Sequence, residues 1–186
     1  MGCDIHAFIE YTNDLEDNWS AISGQLSLGR NYGLFSALAG VRLYTDKIDY
    51  LEPRGIPEDI SWMTESKYTL LVVPGDNTDE DGCCTETEAE QYLGYGSKIW
   101  KEKKEGSEYY RITHPDWHTP SWHNLTELKG AYDSYLDYYK DEYGERDRSD
   151  PSHRPNRIPL MEGYLALMDK MEEMGFITRI VFWFDN

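Results

Sequence analysis

Apolar residues alternate near the start of the chain. Ile5, Ala7 and Ile9 fall on one side of an extended segment, and Asp4, His6, Phe8 and Glu10 on the other. A period of two marks a strand, so residues 3–11 predict one. The polar residues 13–18 predict a turn into a short strand near residues 19–22, together an opening hairpin. The spacing changes after Asn31: Tyr32, Leu34, Phe35, Leu38 and Val41 recur at helical intervals, with Asn31 placed to cap them. Residues 45–61 contain Pro53-Arg54-Gly55-Ile56-Pro57 and predict an irregular loop. Residues 68–73 predict a compact strand stopped by Pro74-Gly75.

Residues 76–90 carry seven acidic side chains and almost no core material, which predicts a surface loop. Residues 98–108 predict an exposed hairpin or helix end, and residues 109–113 a short strand. The aromatic segment 114–122, interrupted by Pro115 and Pro120, predicts a loop. Asn124 and Glu127 have capping-box spacing. They open a helix to about residue 143 with Leu125, Leu128, Tyr132, Tyr135, Leu136 and Tyr139 inward. Pro159 begins a third helix that ends before Gly175. Residues 177–184 are apolar on nearly both faces and predict a central strand. The pattern as a whole predicts an α+β fold. Residues 1–186 form one domain, with a mixed or antiparallel sheet built on the N- and C-terminal strands and covered by about three helices. An acidic surface insertion is expected near residues 74–108.

Composition sharpens this. The 186 residues include 35 acidic against 18 basic side chains, for a net charge of −17. Such a chain lacks the clustered cations that direct binding to nucleic acid or to an anionic membrane requires. A small anionic ligand stays open, because it senses only its pocket. Fifteen Tyr and six Trp argue for a folded chain. No apolar run approaches the ~18–20 residues of a membrane span, and no signal-peptide pattern is present. Met1-Gly2-Cys3 lacks the Ser or Thr of an acylation signal, since His6 stands there. Three cysteines without framework spacing fit reduced thiols in a cytoplasm.

Candidate chemistry concentrates in two Asp-x-His pairs. Asp4 and His6 would lie about 6.5–7 Å apart on one strand face. Asp116 and His118 repeat the spacing within a segment holding three of the five His. If the pairs meet, Asp4, His6, Asp116 and His118 would suit Zn, Mn or Fe and a metal-activated water. Alternatively, Asp4 and His6 are a strand-face polar pair satisfied by neighbouring loops, and the His-rich segment is an aromatic loop packing on the second helix. Asp4, His6 and His118 are the candidate catalytic residues. Arg30 and Arg54 are candidates for holding a phosphate or carboxylate; alternatively, Arg42 and Arg54 simply pair with the abundant acids. Trp117 and Trp122 would stack on a base, and Ser121 adds a hydroxyl. Asn77, Asp79, Asp81 and Glu88 partly match a calcium loop, although Pro74-Gly75 forbids the usual entering helix. Cys83-Cys84 has no second Cys pair and does not read as a metal site. Asp185 could contribute to a site at a sheet edge, against simple edge pairing.

Several segments together resemble a family of small bacteriophage and prophage proteins. They are Met1-Gly-Cys-Asp-Ile-His6, residues 30–42, residues 53–61, Ser121-Trp122 and Phe184-Asp-Asn186. That family often has another His ahead of Ser121-Trp122, where this chain has Thr119-Pro120. The resemblance implies a phage origin and a host-cytoplasmic setting, and it transfers no activity. Two functional expectations follow for one pocket. The protein is either a metal-dependent hydrolase or phosphodiesterase of a small nucleotide-like ligand, or a non-catalytic protein that sequesters a host nucleotide signal. A third is an acidic decoy that blocks a host defence protein through its negative face.

Overall fold

The computed structural model describes residues 2–13, 18–22, 24–75, 78, 80–102, 110–143 and 158–185. Its strands are β1 (Ile5–Thr12), β2 (Ser20–Ala21), β3 (Thr69–Val73), β4 (Cys83–Thr85), β5 (Ile99–Lys101), β6 (Tyr110–Thr113), β7 (His118–Asn124) and β8 (Ile177–Phe184). Its helices are α1 (Tyr32–Ala39), α2 (Trp62–Tyr68), α3 (Glu86–Gly94), α4 (Leu125–Tyr143) and α5 (Pro159–Glu173). The α+β class holds, with two four-stranded sheets. The first has the order β2-β1-β8-β7 and is antiparallel throughout. The second has the order β4-β3-β6-β5, and only its β3–β4 pair is parallel.

β8 is central, as its two-sided hydrophobicity predicts. It pairs with β1 from Ile5↔Phe184 to Thr12↔Ile177, which puts His6 opposite Trp183 and Glu10 opposite Arg179. One sheet face carries Ile5, Ala7, Ile9, Ile180, Phe182 and Phe184 into the main core beneath α1, α4 and α5. The other carries Phe8 and Trp183 against Tyr68, Trp100 and Trp117, which join it to the second sheet. At roughly 1.5–3 kcal/mol for each fully buried large side chain, both faces contribute to stability.

The predicted helix signals operate. Asn31 Oδ1 accepts from Leu34 N at 3.0 Å, and Gly40 ends α1 at φ 67°, a left-handed conformation that glycine adopts without strain. Asn124 and Glu127 cap each other reciprocally at 2.9 Å. Among the described residues no helix is long and apolar enough to cross a membrane.

Three local expectations are corrected. Residues 118–124 form β7 rather than loop. β7 is a sheet edge with a register shift between His118 and Ser121, and an edge tolerates Pro120 because one side of the strand needs no donor. Residues 86–94 form α3, because Thr85 and Glu88 make a capping box that the acidic composition conceals. Tyr68, expected to open the strand over residues 68–73, instead ends α2, which the Ser61 side chain starts by accepting from Thr64 N.

A buried ion network fastens residues 59–61 to the second face. Arg179 donates to Glu10 Oε2 at 2.8 Å and to Asp59 Oδ1 at 2.7 Å. Glu10 Oε1 accepts from Ser61 N at 2.9 Å, and the Trp19 ring lies 3.7 Å from the guanidinium. The Glu10 side chain is fully buried and that of Arg179 is 4% exposed, so each charge depends on its partner.

Candidate functional site

The site begins where β1 enters and β8 leaves the first sheet. Asp4 N donates to Asp185 Oδ1 at 2.8 Å, and Asp185 N donates to Asp4 O at 3.2 Å. This reciprocal clamp fixes the Asp185 carboxylate, whose Oδ2 lies 3.0 Å from His6 Nε2. The other ring nitrogen, Nδ1, lies 3.3 Å from Gln25 Oε1, while Gln25 Nε2 donates to Ile5 O at 3.5 Å. Both His6 nitrogens thus face oxygen atoms.

Aromatic rings extend from this pair. His6 stacks parallel to Trp183 at 5.8 Å and meets Trp117 at 4.5 Å. Trp117 in turn stacks on His114 at 4.2 Å. His114 Nδ1 accepts from Asp116 N at 3.2 Å. Burial pushes the His114 pKa down, against the opposing pull of the nearby Asp116 carboxylate. A neutral His114 ring can lie flat against Trp117 without carrying a desolvated charge. The indole N–H groups of Trp117 and Trp183 are buried without a hydrogen-bond partner among the described residues.

His118 also reaches Asp185: its Nε2 lies 3.3 Å from the backbone oxygen Asp185 O, which can only accept. Its Nδ1 is hydrogen-bonded to Thr119 Oγ1 at 2.9 Å. Cys3 Sγ lies 4.0 Å from Nε2. Burial pushes the Cys3 thiol up, while Arg42 pulls it down. Among the described residues, Arg42 (φ 56°) and Thr119 (φ 48°) alone combine a side chain with left-handed backbone, and they border this Cys3–His118 contact.

The two Asp-x-His segments therefore meet, but the four named side chains do not form one ligand set. Asp4 is bound through both oxygens to Arg30 at 2.5 Å, and that hydrogen bond lowers its pKa. Asp116 is exposed and sits 3.9 Å from His114. Among the described residues, no three His, Cys, Asp or Glu side chains gather as a metal-holding group. In the calcium motif, Asn77 and Asp79 lie outside the described residues, and Glu88 accepts from Thr85 N at 2.8 Å.

The proposed ligand residues also divide. Trp117 is in the site. Arg54 holds Glu127 at 2.9 and 2.7 Å, donates to Trp122 O and stacks on Trp122 at 3.8 Å. Burial pushes the Glu127 carboxyl up, but the Arg54 hydrogen bond and charge outweigh it and hold it below its ordinary range. The buried Ser121 accepts from Arg54 N at 3.2 Å. Arg54, Ser121 and Trp122 thus form a strut further along β8, where Trp122 pairs with Val181.

His114 and Trp117 also line an open cleft of about 350 Å³ between the α2–β3 segment and β4. Gln25, Trp183 and this cleft have no local sequence motif, whereas His114 belongs to the His-rich segment already singled out. The hint for Trp183 was the odd-numbered series Arg179, Val181, Trp183 in a strand apolar on both faces. No family model, curated protein or solved structure matches the chain.

Proposed function

We propose that the chain binds a small nucleotide-like ligand at the centre formed by His6, Asp185, Trp117 and His114. One observation carries this reading: the rings of Trp183, His6, Trp117 and His114 are continuous from the clamped His6–Asp185 pair to the open cleft. A planar base can add to such a row at low cost in shape, because every base offers a π-face.

Sequestration is the first reading, because both His6 nitrogens and the Asp4 carboxylate already have partners. Hydrolysis is the second, favoured by the clamped carboxylate on an imidazole, an arrangement suited to moving a proton. A divalent metal would assist that chemistry only by drawing Asp4 or His6 from the present contacts. In the phage setting, the ligand would be a host nucleotide signal. An acidic decoy remains a separate proposal resting on the net charge, and its binding to a host protein would weaken sharply with salt.

The test is to titrate purified protein with nucleoside mono-, di- and cyclic phosphates, then release the ligand by heat and analyse it chromatographically. Unchanged ligand supports sequestration. Cleaved ligand supports hydrolysis, and loss of cleavage in EDTA adds the metal. The reading fails if none binds, or if Trp117→Leu binds as tightly as the parent.

A further inference from the structure

Resting on that reading, the negative end of a nucleotide-like ligand still needs a cation, and Arg30 and Arg54, expected to supply it, are engaged elsewhere, as is Arg179. Arg30 is matched to Asp4, Arg54 to Glu127, and Arg179 to Glu10 and Asp59. Arg111 is different. Among the described residues its side-chain hydrogen bond goes to a neutral oxygen, Thr69 Oγ1, at 2.9 Å.

We propose that Arg111, with Lys67, is the phosphate-recognising element of the cleft. The site is built from the second sheet. Arg111 stands on β6 opposite Leu71 of β3, so both strands hold its backbone. Thr69 is buried, and its hydroxyl donates to Glu65 O at 2.8 Å while accepting from Arg111 Nη1. That contact fixes one edge of the guanidinium and leaves the other donors of its fork for a ligand. The nearest acid of α2, Glu65, is taken by Lys101 Nζ at 2.6 Å and Trp100 Nε1 at 2.7 Å.

The described residues lining the cleft include two cations, Lys67 and Arg111, and one carboxylate, Asp81; Glu80 borders it, 3.9 Å from the Cys83 thiol. In a protein of net charge −17, two cations on one cleft wall are a local departure from the acidic surface. The Trp117–His114 stack lines the same cleft. A phosphate on Arg111 and a ring against Trp117 can therefore belong to one molecule. The shared chemistry is a phosphate-bearing small anion, either a nucleotide or a free di- or polyphosphate.

The experiment is isothermal titration of the whole chain with inorganic pyrophosphate, adenosine 5′-monophosphate and adenosine. Pyrophosphate and the monophosphate should bind, and Arg111→Gln should weaken both at least tenfold. The exposed Lys67→Gln should weaken both about threefold with unchanged circular dichroism, which covers the case in which Arg111→Gln misfolds. Trp117→Leu should weaken the monophosphate and leave pyrophosphate unchanged. The proposal is overturned if pyrophosphate fails to bind the parent chain, or binds both cation variants as tightly. Adenosine binding without pyrophosphate binding would overturn this anion site and spare the broader reading. Binding of pyrophosphate alone, dependent on Arg111, would support the anion site and reject the base-stacking reading.

Discussion

The Asp185 carboxylate holds two points of the opposite strand end: Oδ1 accepts from Asp4 N at 2.8 Å, and Oδ2 lies 3.0 Å from His6 Nε2. The partner of His6 is therefore 179 positions away in the chain, rather than two. Asp185→Asn keeps the size and an oxygen to accept from Asp4 N, but puts an amide N–H in place of the charged oxygen facing His6. It should cost about 1 kcal/mol in urea denaturation, near the value of a partly exposed hydrogen bond, and weaken ligand binding or turnover. Parental behaviour in both assays would reject a role for the clamp.

The buried Arg179–Glu10 pair makes a stronger demand. Arg179→Met leaves the Glu10 charge buried and should destabilise the fold by about 3–5 kcal/mol. Adding Glu10→Leu should recover much of that loss, because a buried pair is costly mainly when halved. Urea midpoints of the parent, single and double variants test this. A single-variant loss below about 1 kcal/mol would contradict the network.

Acid should weaken the protein through its histidines. Burial lowers the His123 pKa, against the hydrogen bond to Leu38 O, and burial also lowers that of His114. The unfolded chain, with ordinary histidines near 6.5, then binds more protons than the folded one as pH falls below that value. Stability contributed by the neutral rings is thus present above about pH 6.5 and declines as pH drops through that range. Relief of the −17 net charge acts oppositely. The diagnostic is therefore a difference: His123→Gln should flatten the parent's loss of stability between pH 7 and 5. An unchanged slope would remove His123 from the account.

The α4 cap gives a local control. Asn124→Ala removes the acceptor for Glu127 N and should cost about 1 kcal/mol. It should leave nucleotide binding intact, since the Arg54–Glu127 strut is separate from the Trp117 centre. Loss of binding with a parental urea midpoint would show that the two regions are coupled.

Much of the framework was legible because local periodicity and caps carry it. Asn31, Asn124 and Pro159 mark helix starts within the sequence, and the two-sided apolar run of β8 announces a central position. α3 was hidden because its apolar content is small and its acids read as loop. β7 was hidden by Pro120, which a sheet edge accommodates and the interior of a sheet does not. The Asp-x-His segments were visible as chemistry, and they do meet. Their pairing was not readable, because a two-residue spacing describes one strand while His6 is paired across strands. Pairing of Arg54 with an acid is expected from so acidic a sequence, but that its partner is Glu127, and that Arg30 is held by Asp4, only the fold shows. Arg111, conversely, has no motif, and its setting depends on β3 and α2.

β8 also gives the protein a parity. Even-numbered Ile180, Phe182 and Phe184 face the helices, while odd-numbered Arg179 and Trp183 face the second sheet and the site. A slip by one residue would drive Arg179 among phenylalanines and turn Trp183 away from His6. It would also carry Asp185 off its clamp. The strand behaves as a ratchet with one permitted notch: a chain that misses it loses its core and its ligand centre in the same step.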